Sequence, residues 1–445
     1  MDTPTWFNTV LENINAWVWG VPMVVLLFCT HLFFTVYLKA WPQRKLFKGI
    51  QLSLKRSTSP EKPGEISSFA ALTTALAATI GTGNIVGVCT AVAMGGPGAV
   101  FWMWLTGVFG IATKYAEALL AVEYRTVQPN GHTAGGAMYV LERALGYKTL
   151  ARIFAVCTAI AALGIGNMVQ ANSLSHLLHE HLHWPTALTG GVMAFAVGCV
   201  LLGGIKSLAR TCEALVPVMA VGYVAGCLFL LFYNMQQLPH TIMLIWHSAF
   251  NGHAAVGGFA GAQIKSAMRY GIARGLFSNE SGLGSAPIVA AAAQTSNPVE
   301  QALVASTATF WDTVVVCLLT GLAVVSSGVW TTGISGAALA HQSFAHLGPM
   351  GSWILLFALS TFVFSTLLGW SYYGEKALEY LCGNKSIAPY RVLWVVLVWV
   401  GACAQINTVW TLADIANACM ALPNLVALWA LRKKIHSLTL SPPST

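Results

Sequence analysis

Two stretches of the chain set glycine and polar side chains inside otherwise apolar sequence. The first reads Thr79-Ile80-Gly81-Thr82-Gly83-Asn84-Ile85-Val86-Gly87. The second reads Phe277-Ser278-Asn279-Glu280-Ser281-Gly282-Leu283-Gly284-Ser285, followed by Pro287. Each places a Gly-x-Gly in mid-span. A helix broken there leaves N–H groups unpaired on one half and C=O groups unpaired on the other. In hydrocarbon such groups are tolerated only where they face protein, water or ligand. Two breaks that meet present donors to an anionic group and acceptors to a cation, the complement of an amino acid zwitterion. A monovalent cation can share the carbonyl ends. Glycine alone is weak evidence, because small residues also serve close helix packing. Matching register and the Asn and Glu side chains in mid-span mark this pair.

Other spans carry side chains suited to such a site. Ser365 and Thr366, in Ser360-Thr361-Phe362-Val363-Phe364-Ser365-Thr366-Leu367-Leu368-Gly369-Trp370, offer hydroxyl oxygens to a cation without adding charge. The alternative for both is a bond to the carbonyl four residues back. Asn167 and Gln170 follow Gly164 and Gly166 and share one helix face; such amides also join helices. Glu280 and Asp312 are acids in apolar context and functional candidates on that ground. Either binds a cation if ionised or carries H⁺ if protonated. The competing roles are locking an unwound backbone for Glu280 and an interhelical polar contact for Asp312. Asp414 is expected in the first turn of the last span, offsetting the helix dipole. His176, His179, His181 and His183 have metal-like spacing, but no second cluster completes a site, so they read as interfacial caps.

The elements that must position these groups follow from composition. Of 445 residues, 56% are hydrophobic and 9% charged, against about 25% charged in soluble domains. Many apolar runs exceed the ~20 residues needed to cross hydrocarbon. The expectation is an all-α polytopic membrane protein. Its eleven spans are 17–40, 66–94, 98–124, 150–178, 184–203, 212–234, 270–293, 298–327, 351–373, 389–407 and 411–431, two of them discontinuous. Five spans begin with each interrupted one, so an odd number per half makes the halves an inverted repeat. The layout is then an extra helix and loop (1–65), a first repeat (66–235), an extracytoplasmic connection (236–269), a second repeat (270–431) and a cytoplasmic tail (432–445). With the N-terminus outside, all of the 23 Lys+Arg except Lys265, Arg269 and Arg274 fall on the cytoplasmic side, Lys114, Arg56 and Lys62 among them. That bias fits the positive-inside rule and puts the C-terminus in the cytoplasm. Asn297-Pro298 with Glu300 reads as a helix start. The ten Cys are scattered and read as small buried residues. Met1-Asp2-Thr3-Pro4 lacks the basic start of a cleaved signal peptide.

These segments resemble the alanine or glycine:cation symporter family, the sodium:alanine symporters, of the amino acid-polyamine-organocation superfamily. The resemblance is carried by Gly81 to Gly87, Gly95-Gly96-Pro97-Gly98-Ala99, Gly135-Gly136-Ala137-Met138-Tyr139 and Gly166-Asn167-Met168-Val169-Gln170. It is also carried by Phe277 to Pro287 and Gly369-Trp370-Ser371-Tyr372-Tyr373-Gly374-Glu375. It runs from about residue 20 to 430, and Phe-Ser-Asn-Glu is its most specific part. Ser281 departs from the Ala usual there. The resemblance implies a LeuT-type inverted-repeat fold, itself a standard example of broken-helix transporters. It further implies Na⁺-coupled import of alanine and glycine. By that similarity Gly83, Asn84, Gln170, Phe277, Ser278 and Trp370 line the substrate pocket, with the aromatics limiting its size. Carbonyls near Ala77 and Ile80, with Ser365 and Thr366, form the sodium site, while Gly81, Asn279, Glu280, Gly282 and Asp312 serve gating or structure.

The function expected is therefore a secondary symporter in the bacterial inner membrane. It needs a small amino acid, Na⁺ and lipid but no organic cofactor or nucleic acid. H⁺ in place of Na⁺ is the nearest alternative. An embedded enzyme using His176 to His183 would need converging catalytic groups that lie in different regions here. A channel would favour rings of like ligands, and no Walker-type motif supports an ATP-driven pump.

Overall fold

The computed structural model describes residues 5–55, 63–127, 133–250 and 259–440. Met1-Asp2-Thr3-Pro4, Arg56, Lys62 and parts of the 236–269 connection and 432–445 tail lie outside them. Helices dominate the described residues; the sheet among them is one ribbon pairing Thr126–Val127 with Thr133–Ala134.

Helices α1 (Thr5–Val18) and α2 (Val21–Tyr37) form the N-terminal span. Helix α3 (Ser68–Thr79) starts where the Ser67 hydroxyl accepts the Ala70 N–H at 2.9 Å, an N-cap that satisfies one orphan donor. It breaks after Thr79, and the chain resumes through a π-helical turn, Gly83–Gly87, into α4 (Val88–Gly95) at a 52° bend. Next come α5 (Gly98–Glu123), α6 (Lys148–Leu163), a second π turn at Gly164–Met168 and α7 (Val169–Leu182). Helices α8 (Thr186–Leu202) and α9 (Gly204–Tyr233) complete the first half.

The second half opens with α10 (Phe259–Asn279) and, beyond an irregular turn, α11 (Pro287–Ala290). Helix α12 (Pro298–Thr309) begins as expected: Asn297 Oδ1 accepts the Val299 and Glu300 N–H groups at 3.0 and 3.3 Å. It continues through π-helical Phe310–Cys317 into α13 (Leu318–Ser326), followed by α14 (Pro349–Cys382), α15 (Ile387–Cys403) and α16 (Asn407–Ala430).

The packing follows an approximate two-fold relation between the halves. Helix α5 packs on α10 as α12 packs on α3, and α6 on α16 as α14 on α9. Helices α5 and α12, α6 and α14, and α8 and α15 each meet their own counterpart. Small residues allow the closest approaches: a Cβ at Gly369 would lie 2.6 Å from the Ala78 amide nitrogen, so α14 rests directly on the α3 backbone. Outside the repeat, α2 lies along α5 and α1 along α16.

Among the described residues, eight helical stretches are long and apolar enough to cross a membrane, and nine if the bent α3–α4 pair counts as one. Eleven were expected. Thr186–Leu202 has only 17 residues, while α10 carries Lys265, Arg269 and Arg274 before its break. Three other expectations change. The second interrupted span starts at Phe259 instead of near 270. Asp414 lies about two turns inside α16, because that helix begins at Asn407. Lys114, counted among the cytoplasmic cations, is 1% exposed in the body of α5, which runs on to Glu123.

Candidate functional site

The two breaks meet. Gly83 faces Phe277 across them, with a Cβ at Gly83 falling 3.7 Å from the Phe277 ring. Between them lies a cavity of about 20 Å³ bordered by Thr79, Gly81, Thr82 and Gly83 of the first break and Phe277, Ser278 and Glu280 of the second. Ile165, Gln170, Thr366, Trp370 and Asn417 close its remaining walls. That volume holds roughly one water, so a larger guest enters only when a wall moves.

Five expected pocket residues, Gly83, Gln170, Phe277, Ser278 and Trp370, border this cavity. Gln170 is held by Thr82, whose hydroxyl donates to Oε1 at 3.2 Å, while Nε2 donates to Ile165 O at 3.1 Å. Trp370 packs against Gly166, where a Cβ would come within 2.4 Å of the Trp370 Cβ. Asn84 departs from expectation. It is fully buried outside the lining, because its Oδ1 accepts the Gly81 N–H at 2.9 Å and its Nδ2 donates to Asp312 Oδ1 at 2.6 Å. Asn167 likewise joins helices, donating to Trp394 O at 2.9 Å.

The Asn84 bond prepares acceptors at the first break. In a continuous helix the Gly81 N–H would go to Ala77 O and the Asn84 N–H to Ile80 O. Here the first goes to Asn84 Oδ1 and the second to Gly81 O at 3.2 Å. Thr366 Oγ1 lies beside Gly81, 2.6 Å from where a Cβ would be. Thr366 and Ser365 both donate to Phe362 O, at 2.8 and 2.9 Å. These bonds use the hydroxyl hydrogens and leave oxygen lone pairs for a cation, so helix bonding and coordination are compatible. Thr366 reaches the cavity; Ser365, Ala77 and Ile80 are fully buried behind it.

At the second break, Glu280 takes a left-handed conformation (φ 54°), as do Gly282 and Gly284 (φ 88° and 81°). Asn279 Oδ1 accepts the Ser281 N–H at 2.9 Å, and Ser285 donates to Glu280 Oε2 at 2.6 Å. Glu280 therefore both borders the cavity and locks the turn. Asp312 gathers Asn84, Ser278 (2.9 Å) and Thr313 (2.6 Å), the interhelical polar contact weighed from sequence. Ser281, the departure from the family pattern, bonds Thr309 at 3.1 Å and lies outside the cavity lining.

The two ends of the site differ. On one side Phe277 is also a wall of a second cavity, about 250 Å³, bordered by Asn15, Trp19, Arg269, Tyr270, Arg274 and Asp414. One ring thus separates the central space from an outer one. At the other end, the chain before α3 is zipped to the chain after α11. Glu65 N–H donates to Ala292 O at 2.8 Å, Gln294 N–H to Ile66 O at 2.8 Å and Thr295 N–H to Pro63 O at 3.3 Å. Arg125 ties this zip with bonds to the carbonyls of Pro63, Ala291, Ala293 and Thr295. Sequence reasoning missed Arg125, Asn417 and Glu117. Glu117 carried the signal that flagged Glu280, an acid in an apolar run, but the neighbouring Lys114 had been assigned to the rim. Of the histidines, His179 bonds Trp184 O at 3.0 Å and the His181 ring lies 4.0 Å from that of His341, tilted by 32°.

Paired broken helices around a central cavity, zipped at one end and separated from an outer cavity by one aromatic ring, define a membrane transporter and not an enzyme. The family model for the sodium:alanine symporter family matches residues 4–441, and the chain belongs to that family. It is 47% identical over 441 residues to the sodium/alanine symporter AgcS of Methanococcus maripaludis, covering 97% of this chain and 96% of that one. An uncharacterized transporter of Haemophilus influenzae is 46% identical over 432 residues, with 96% and 94% covered. The probable sodium/glutamine symporter GlnT of Bacillus subtilis is 36% identical over 436 residues, with 96% and 90% covered. Among solved structures, the Eremococcus coleocola manganese transporter in complex with an aromatic bis-isothiourea substituted compound aligns with a TM-score of 0.52 at 16% identity. It covers 88% of this chain and 86% of that one, a likeness of fold alone.

Proposed function

We propose that the protein is a Na⁺-coupled symporter that imports alanine and glycine across the bacterial inner membrane, with its N-terminus outside and its C-terminus in the cytoplasm. In this reading residues 66–235 and 270–431 are the inverted halves, and the 1–65 and 236–269 segments are additions. Substrate lies between Gly83, Gln170, Phe277, Ser278 and Trp370, its carboxylate toward the amides of the unwound segments and its ammonium toward carbonyls and side-chain oxygens. Phe277 moves to admit it, and the bulk of Phe277 and Trp370 excludes longer side chains. Na⁺ lies between Ala77 O, Ile80 O, Ser365 and Thr366. Asn84 acts from behind, by diverting the Gly81 N–H from Ala77 O.

The observation that carries the reading is the position of Thr366 Oγ1 against Gly81, at the break where the Gly81 and Asn84 N–H groups are diverted from Ala77 O and Ile80 O. These are neutral oxygen ligands, suited to a hard monovalent cation and without a proton to exchange. The sodium/alanine symporter AgcS, similar along its whole length, supports the substrate and the ion. The test is uptake of labelled alanine into proteoliposomes with Na⁺ and pH gradients imposed separately. The expected result is accumulation driven by inward Na⁺ and absent under a proton gradient alone; accumulation in Na⁺-free buffer overturns the choice of ion.

A further inference from the structure

Asp312 bonds side chains from both breaks at once. It lies in the π-helical segment Phe310–Cys317, whose i→i+5 repeat sets Asp312 and Cys317 on one face. That face meets Asn84 of the first break and Ser278 of the second. Asp312 Oδ1 accepts Asn84 Nδ2 at 2.6 Å, and its Oδ2 accepts the Ser278 hydroxyl at 2.9 Å. Cys317 Sγ lies 3.3 Å from the same two donor atoms. All four side chains are buried. A carboxylate accepts on both oxygens together, and such charge-assisted bonds are about twice as strong as neutral ones.

The Asn84 amide gives the link a direction. Its Oδ1 takes the Gly81 N–H while its Nδ2 serves Asp312. Turned over, it would set donor against donor at Gly81 and oxygen against oxygen at Asp312. The carboxylate thus holds Asn84 in the orientation that keeps the Gly81 N–H away from Ala77 O, one oxygen of the proposed Na⁺ position. On the other side, Ser278 borders the cavity and directly follows Phe277, the ring that must move to admit a guest. Asp312 itself is outside the cavity lining.

We propose that Asp312 is the residue that couples the cation position to the substrate cavity, a positioning residue that touches neither Na⁺ nor substrate. Through Asn84 and Ser278 it makes each ligand favour the arrangement of the breaks that the other needs. Such coupling is reciprocal: Na⁺ tightens alanine binding by the same factor as alanine tightens Na⁺ binding. This rests on the Na⁺ symport reading above and adds the means by which its two ligands act on one another.

The test measures binding of labelled alanine to the purified full-length protein in detergent, with Na⁺ or with choline in its place. Binding of labelled Na⁺ without alanine is measured alongside. The readout is the factor by which Na⁺ tightens alanine binding, expected to be on the order of tenfold or more in wild type. Asp312→Asn is expected to lower that factor to less than about threefold while binding Na⁺ alone as wild type does. Thr313→Val removes another bond to the same carboxylate, 2.6 Å long, without touching either break, and should keep the wild-type factor. A wild-type factor in Asp312→Asn overturns the proposal, as does an equal loss in Thr313→Val, the mark of general loosening. Loss of Na⁺ binding by Asp312→Asn without alanine also overturns it, because the carboxylate would then be a ligand. Should Asp312→Asn lack a thermal unfolding transition, Ser278→Ala decides, a wild-type factor there being the overturning result. Wild-type alanine affinity that ignores Na⁺ overturns the symport reading itself; a coupled wild type with an equally coupled Asp312→Asn overturns this inference alone.

Discussion

A methyl group at position 166 would lie 2.4 Å from the Trp370 Cβ and 2.5 Å from its Cγ. The glycine is therefore what lets the indole form a cavity wall. Gly166→Ala is expected to displace Trp370, at an overpacking cost of about 1–3 kcal/mol, and to weaken alanine binding while the protein still inserts. Titration calorimetry in detergent against wild type checks it, and equal affinities would remove Trp370 from the substrate wall. This part of the site was legible in sequence, because Gly164, Gly166 and Gln170 stand together in an apolar run. What could not be read was which side of a helix a polar group turns to. Asn84 and Gln170 look alike in sequence, yet Gln170 reaches the cavity and Asn84 is consumed by Gly81 and Asp312. Partners on other segments, Asp312 for Asn84 and Thr82 for Gln170, decide between those fates, and no local pattern encodes them.

Between elements, the decisive contact is the zip that joins the segment before α3 to the segment after α11. Its four-carbonyl tie is a single guanidinium, and hydrogen bonds to a charged donor are worth about 1.5–3 kcal/mol each when intact. Gly135 makes room for it, since a Cβ there would meet the Ala291 Cβ at 2.4 Å. Glu65 Oε1 braces the nearby ribbon by accepting the Thr133 N–H at 2.9 Å. Arg125→Ala is expected to speed amide hydrogen exchange of Ile66, Gln294 and Thr295 by at least about tenfold, while α14 amides keep their protection. Unchanged exchange at those three amides would show that the zip holds without its arginine. The broken spans themselves were legible, because glycine punctuates them and the two-fold arrangement repeats the pattern. The zip was not, since it is built from backbone groups of residues without distinctive chemistry. The second broken helix was misjudged in extent for a related reason. Its first half carries three cations, so hydropathy placed its start too late.

At the scale of the whole molecule, charge distribution turns the fold into a directional machine. The cations of the loops favour one orientation in the membrane, and the zip closes the end assigned to the cytoplasm. On the proposed reading, with one Na⁺ moving inward per neutral zwitterion, a full cycle would carry one net positive charge. A membrane potential of 100 mV contributes about 2.3 kcal/mol per charge, which corresponds to a concentration ratio of roughly 40-fold. Imposing an inside-negative potential with a potassium gradient and valinomycin, at equal Na⁺ on both sides, should therefore drive alanine uphill toward that ratio. Reversing the potential should drain preloaded vesicles. A steady-state ratio that stays at one under both polarities would mean that no net charge crosses, and the carried cation would then have to be offset by another ion moving the opposite way. A ratio approaching the square of the expected value would instead mean two charges per cycle.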